Sequence, residues 1–302
     1  MLTSFIFPAF VSEYSGNEPE VLRRYSDDFD VLLHKASNHL EIDLTAFDIL
    51  HNSFQDHELN TQFISYIFSC AVSDILKSKN VNPQFISGYS MGLYTALYCG
   101  QAVTFTEGLD LIRKAFELIK DATKNLETGM GSIVGLSKED VLNLIANKDG
   151  LILANTNGTY SYMVSGLKTE INEVINLAKQ EGALHAAMMN VTCPYHTSLL
   201  NDASEKFRDY VLQQITLKDS SFKIVSGIDQ RIFSAREEII RELSANMNTE
   251  INWLKTMEKM LELNVGRFAE CGAGTSLYKI GKFIKGEFKI YPVSSLDRFL
   301  GM

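Results

Sequence analysis

The pentapeptide Gly88-Tyr89-Ser90-Met91-Gly92 constrains this chain more than any other stretch of it. Its G-x-S-x-G spacing is that of a nucleophile elbow, a strained strand-to-helix turn whose glycines permit the bend and leave the serine hydroxyl exposed above a sheet. The flanks agree: apolar Phe85-Ile86 comes before, and a helical run from Leu93 to Cys99 follows. The segment therefore reads as strand, tight turn, buried helix. At the start of that helix the N–H of Met91 can donate to an oxyanion. Ser90 is a candidate nucleophile; the competing reading is a serine that only shapes a turn, since three fixed positions recur by chance.

A serine hydroxyl needs a base. Of the six histidines, His34, His39, His51 and His57 precede the elbow in a helical region and read as surface or helix-face residues. His185 falls in an expected strand. His196 follows Cys193-Pro194-Tyr195 in a loop. His196 is favoured as the base, with His185 as the alternative.

Around the elbow, Thr3 to Phe7 read as a short buried strand stopped by Pro8, and residues 20–78 are dominated by helical patterns. Thr61 to Leu76 is apolar on most sides, which suits a helix inside the core. After a helix at about 106–122 the texture changes. Strand 130–135, helix 137–147, strands 150–155 and 160–165, helix 168–181 and strand 184–190 follow in the order β-α-β-β-α-β of a ferredoxin-like unit. The expected fold is α/β: an α/β-hydrolase-like large domain with a parallel sheet core, from 1–123 and 191–302, and an inserted ferredoxin-like subdomain at 124–190. Arg267 to Glu270 read as a strand, with a helix from about Thr275.

Composition bounds the function. In 302 residues, 45% apolar and 22% charged composition excludes a disordered chain. Lys and Arg number 28 against 37 Asp and Glu, a net charge of -9, so no global field attracts nucleic acid or an anionic membrane. Cys70, Cys99, Cys193 and Cys271 are too few and scattered for a disulfide framework, and Cys193 and Cys271 read as core thiols. The N-terminus lacks a signal peptide's basic region, and no run of 18 apolar residues exists, so the expected location is the cytoplasm.

Several segments together resemble one family. Phe5-Ile6-Phe7-Pro8, the elbow with Tyr94 and Ala96-Leu97, Asn155-Thr156-Asn157 before Val164-Ser165-Gly166, Pro194-Tyr195-His196, Ile251-Asn252-Trp253, and Glu270-Cys271-Gly272-Ala273-Gly274 fall in the order and spacing of the malonyl-CoA:acyl-carrier-protein transacylases. That family includes trans-acting polyketide acyltransferases and related acyl hydrolases. The resemblance implies a Ser90–His196 dyad, with the imidazole oriented by a backbone carbonyl near Asn252. It implies an oxyanion hole from the N–H groups of Met91 and Phe10, and an acyl pocket lined by Asn157. It implies acyl-CoA and acyl carrier protein as partners, no cofactor beyond the CoA or phosphopantetheine of the substrates, and a monomer.

The chain also departs from the family. Ala9-Phe10-Val11-Ser12-Glu13 replaces the usual G-Q-G-S-Q, Tyr89 a histidine, and Leu93 a glutamate. Malonyl-specific members carry an arginine that pairs bidentately with the substrate's free carboxylate. Ungapped register from Ser90 puts Ala115 there. Arg113 lies two residues away, which turns its side chain by about 200° on a helix, so it substitutes only if the register slips. The substrate expected from this is a non-carboxylated acyl chain. Lys279, Lys282, Lys285 and Lys289 read as a solvated helix face or as a dock for an acidic carrier protein or CoA phosphates. Three functions fit: an acyltransferase, an acyl hydrolase of the same fold, or a noncatalytic partner in a synthase complex.

Overall fold

The computed structural model describes residues 1–9, 14, 16–47 and 57–301. Strand β1 (Leu2–Phe7) is buried from Ser4 onward and ends at Pro8, which has no N–H to continue a ladder. Helices α1 (Glu18–Arg23), α2 (Asp28–Leu40) and α3 (Glu58–Ser78) follow, and α3 is buried on nearly every side, as its apolar sequence requires. Strand β2 (Phe85–Gly88) runs through the elbow into α4 (Gly92–Cys99). Next comes α5 (Phe105–Ala122), started by a Thr104–Glu107 capping box.

The next segment is the β-α-β-β-α-β unit: β3 (Thr128–Val134), α6 (Lys138–Ile145), β4 (Ile152–Gly158), β5 (Ser161–Leu167), α7 (Lys168–Gln180) and β6 (His185–Met188). The rest of the chain, whose elements the sequence left largely undivided, holds α8 (Asn201–Gln214), β7 (Lys223–Val225), β8 (Ile232–Phe233), α9 (Arg236–Asn246), β9 (Ile251–Asn252) and α10 (Trp253–Glu262). It closes with β10 (Val265–Glu270), α11 (Ser276–Gly281), β11 (Lys289–Tyr291) and α12 (Leu296–Leu300).

The large sheet has the order β11-β10-β1-β2-β7-β8, parallel except at the β7–β8 edge. Being covered on both sides, its inner strands carry buried apolar runs such as Phe5-Ile6-Phe7. The small sheet has the order β6-β3-β5-β4-β9, and its first four strands are antiparallel neighbours, the ferredoxin-like arrangement. The fifth comes from outside 124–190: β9 pairs in parallel with β4, Asn155 opposite Ile251 and Thr156 opposite Asn252. The small sheet therefore borrows an edge strand from the C-terminal part of the chain. A mixed core containing Ile6, Tyr89, Trp253 and Phe268 packs beside this junction. No described helix is long and apolar enough to cross a membrane.

Candidate active site

The C-terminal ends of β1, β2 and β10 form the platform, where open α/β sheets bind their ligands. The elbow is anchored to it by Tyr89 N–H donating to the Phe7 carbonyl at 2.8 Å. Ser90 sits in left-handed backbone, φ 55°, a strain characteristic of functional turns. The flanking glycines are needed for space: a Cβ on Gly88 would lie 2.2 Å from the Leu93 nitrogen, and one on Gly92 2.1 Å from the Phe7 oxygen. Among the described residues, the Met91 N–H at the start of α4 has no acceptor, which leaves it free to face an oxyanion.

His196, 106 residues further on, brings its Nε2 to 2.7 Å from Ser90 Oγ. Its Nδ1 lies 2.7 Å from the carbonyl oxygen of Asn246. A carbonyl only accepts, so Nδ1 carries the hydrogen and Nε2 turns its lone pair to the serine hydroxyl. Burial pushes the imidazole pKa down to about 4, while hydrogen bonds to the backbone of Asn246 and Thr249 pull it up, so the ring is neutral near pH 7. The backbone of His196 is also left-handed, φ 64°, and its N–H donates to the Met247 carbonyl at 2.9 Å. His185 is exposed on β6, in register with Val134.

The orienting carbonyl corrects the expectation for Asn252. It belongs to Asn246, the last residue of α9, where a helix leaves its final carbonyls without intrahelical partners. Asn252 instead starts α10: its side chain accepts from Lys255 N–H at 3.1 Å, and its carbonyl accepts from Thr256 Oγ1 at 2.9 Å. Nothing in the local sequence marks Asn246. Phe10, the other expected oxyanion donor, lies outside the described residues, as does His51.

Asn157 is buried on β4 and accepts from the Tyr89 hydroxyl at 2.9 Å, while Asn155 Nδ2 donates to that hydroxyl at 3.0 Å. Residues two apart on a strand share a face, so both amides of β4 meet the tyrosine beside Ser90. Within Asn155-Thr156-Asn157, nothing in the local sequence distinguishes Asn155. A T-shaped contact between the rings of Tyr89 and Trp253, centroids 5.5 Å apart, completes this junction between the sheets.

Ala115 lies on the buried face of α5 with Ile112 and Ile119. Arg113 points the other way: its Nη2 pairs with Asp110 at 2.7 Å, its side chain is 41% exposed, and His39 shares the same carboxylate. The four cysteines are free and buried, and burial lifts Cys193 to about 12, as fits core thiols. The four lysines do not form one helix face. Lys279 is in α11, which ends at Gly281, Lys282 and Lys285 follow it, and Lys289 is on β11. A groove of about 310 Å³ between α6, the β4–β5 hairpin and α10 includes Asn252 but not Ser90 or His196. Among the described residues no His, Cys, Asp or Glu cluster could hold a metal ion.

Residues 22–258 match the model of the acyl transferase domain. Malonyl CoA-acyl carrier protein transacylases of Staphylococcus aureus and Bacillus subtilis are each 26% identical to the chain, over 99% and 96% of it and 97% and 93% of their own lengths. Among solved structures, an acyl-carrier-protein S-malonyltransferase from Burkholderia pseudomallei is 26% identical, with a TM-score of 0.90 and full coverage of both chains. A malonyl-transacylase in complex with its type II polyketide acyl-carrier protein has the same fold, with a TM-score of 0.91 at 24% identity, over 100% of this chain and 99% of that one.

Proposed function

The chain belongs to the acyl transferase family, and on that footing we propose that it moves an acyl group from a CoA or carrier-protein thioester, through an acyl-Ser90 intermediate, to the phosphopantetheine thiol of an acyl carrier protein. The observation that carries this is the 2.7 Å approach of His196 Nε2 to Ser90 Oγ, with Nδ1 held by a carbonyl. As Ser90 Oγ attacks the thioester carbonyl, its proton passes to Nε2, and the oxyanion turns to the N–H of Met91, joined by that of Phe10. Collapse breaks the C–S bond, and the departing thiolate takes the proton from Nε2. The acceptor thiol then repeats the sequence in reverse: its proton goes to Nε2, its sulfur attacks the acyl-serine, and Ser90 leaves with the proton. No third acidic residue is needed, because carbonyls stabilise the imidazolium.

The donor we propose is a non-carboxylated acyl thioester, although relatives are named for malonyl. Ala115 offers a methyl where malonyl-specific members offer a guanidinium, and Arg113 is already paired with Asp110 on the outer face. A carboxylate entering without its cation would lose its hydration uncompensated. The carrier protein, as an acidic partner, would meet Lys282 and Lys285 beside exposed Phe283, since the chain's own charge of -9 repels it elsewhere. Buried free thiols suit a reducing, cytoplasmic setting.

Intact-mass measurement after exposure to a panel of acyl thioesters tests this. The expected result is a simple acyl group on Ser90, absent from Ser90→Ala, and little malonyl. Predominant malonyl labelling would overturn the substrate assignment. Free acid released from acyl carrier protein without a thiol acceptor would make the protein a hydrolase. Failure of both thioesters and a fluorophosphonate probe to label Ser90 would make it a noncatalytic partner.

A further inference from the structure

Residues 189–197 join β6 to the short turn at Ser198–Leu200 without passing through helix or strand, yet they bring His196 within 2.7 Å of Ser90. A loop of that kind has no ladder to locate it, and His196 holds a left-handed conformation that a non-glycine residue keeps only when its surroundings over-determine it. One carboxylate grips both ends of the segment before the histidine. Glu58 Oε2 accepts from the Thr192 N–H at 2.9 Å and from its Oγ1 at 2.7 Å, and Glu58 Oε1 accepts from the Tyr195 hydroxyl at 2.7 Å. One turn along the same helix face, Gln62 Nε2 donates to the Tyr195 hydroxyl at 2.7 Å. Both grips come from α3, a helix buried along most of its length and thus a rigid base for a loop.

Resting on the reading of His196 as general base, we infer that Glu58 is a positioning residue for it, fixing the Thr192–Tyr195 segment so that Nε2 stays in reach of Ser90. All three groups facing Glu58 are donors, so only a carboxylate satisfies them. Glutamine keeps the shape but turns an NH2 toward at least one of them. The charge of Glu58 is spent on the loop rather than on the imidazole, whose own partners are carbonyls.

The test compares the parent with Glu58→Gln, Tyr195→Phe and the double variant, using Ser90→Ala and His196→Ala as controls. A fluorophosphonate reads the Ser90–His196 pair without carrier or acyl pocket; steady-state acyl transfer reads kcat and KM. For Glu58→Gln, the fluorophosphonate rate and kcat should fall together, on the order of 10- to 100-fold, the loss a displacement of about 1 Å produces. KM for the acyl thioester should stay within about twofold. The double variant should lose less than the product of the two single losses, because the residues share the Glu58–Tyr195 contact. Glu58→Gln and Tyr195→Phe both labelling at the parental rate would overturn the inference. If Glu58→Gln fails to fold, Tyr195→Phe, which loses only a hydroxyl, decides by the same readout. Parental rates in His196→Ala would instead overturn the reading of the base.

Discussion

Lowering the pH from about 7 to about 4 should act on two buried groups in opposite directions. His196 has its pKa pushed by burial from 6.5 to about 4. Between those values the unfolded chain binds a proton there and the folded chain does not, so stability falls as the pH drops through the window. At roughly 1.4 kcal/mol per pKa unit, the loss is about 3 kcal/mol by pH 4. Glu270 does the reverse. Burial lifts its carboxyl from 4.5 to about 7, against hydrogen bonds from the N–H groups of Leu277 and Tyr278 and the hydroxyl of Ser276. The folded state then holds a proton the unfolded state releases. Its stabilisation is fully present below pH 4.5 and lost as the pH rises through 7, again about 3 kcal/mol. In the parent the two nearly cancel between 6.5 and 4.5. Urea denaturation across this range, on the parent, Glu270→Gln and His196→Gln, separates them, because other titrating groups contribute equally to each protein. Relative to the parent, Glu270→Gln should lose about 3 kcal/mol on acidification and His196→Gln should gain about as much. In parallel, fluorophosphonate labelling of Ser90 should reach half its rate near pH 4. Half-rate near pH 6.5, with Glu270→Gln tracking the parent, would refute the argument that burial controls both groups.

Other outcomes follow from single contacts. Gly92→Ala puts a methyl 2.1 Å from the Phe7 carbonyl, backbone of the central strand, so it should cost about 3 kcal/mol or more in urea denaturation and abolish Ser90 labelling. Tyr89→Phe leaves the amides of Asn155 and Asn157 without their shared partner, a loss of about 1–3 kcal/mol measurable by the same titration. Lys282→Glu with Lys285→Glu should raise KM for the carrier protein and leave acylation by a small thioester unchanged. An unaltered carrier KM would remove that surface from consideration.

Legibility tracked how local each signal was. The elbow is determined by five consecutive residues, because strand, bend and helix start all depend on neighbours, and its strand β2 and helix α4 fall where expected. The β-α-β-β-α-β segment was also readable, since its periods of two and 3.6 repeat within short windows. In residues 197–266 the division into elements is not legible. Strands of two or three residues such as β7, β8 and β9 are too short for any period to show. Nor did the lysine spacing near the C-terminus predict its structure, because α11 stops at Gly281 and β11 takes Lys289.

By itself the sequence determined the nucleophile turn, the α/β class with its inserted unit, and the residue type expected for a base. Family resemblance then singled out Ala115, whose burial only the packing of α5 decides. Tertiary structure also decided which carbonyl meets His196, which carboxylate holds its loop, and which strand completes the small sheet. Those contacts join residues 50 to 137 positions apart. Their partners are backbone oxygens and ordinary polar side chains that leave no pattern along the chain, and they become specific only when the fold brings them together.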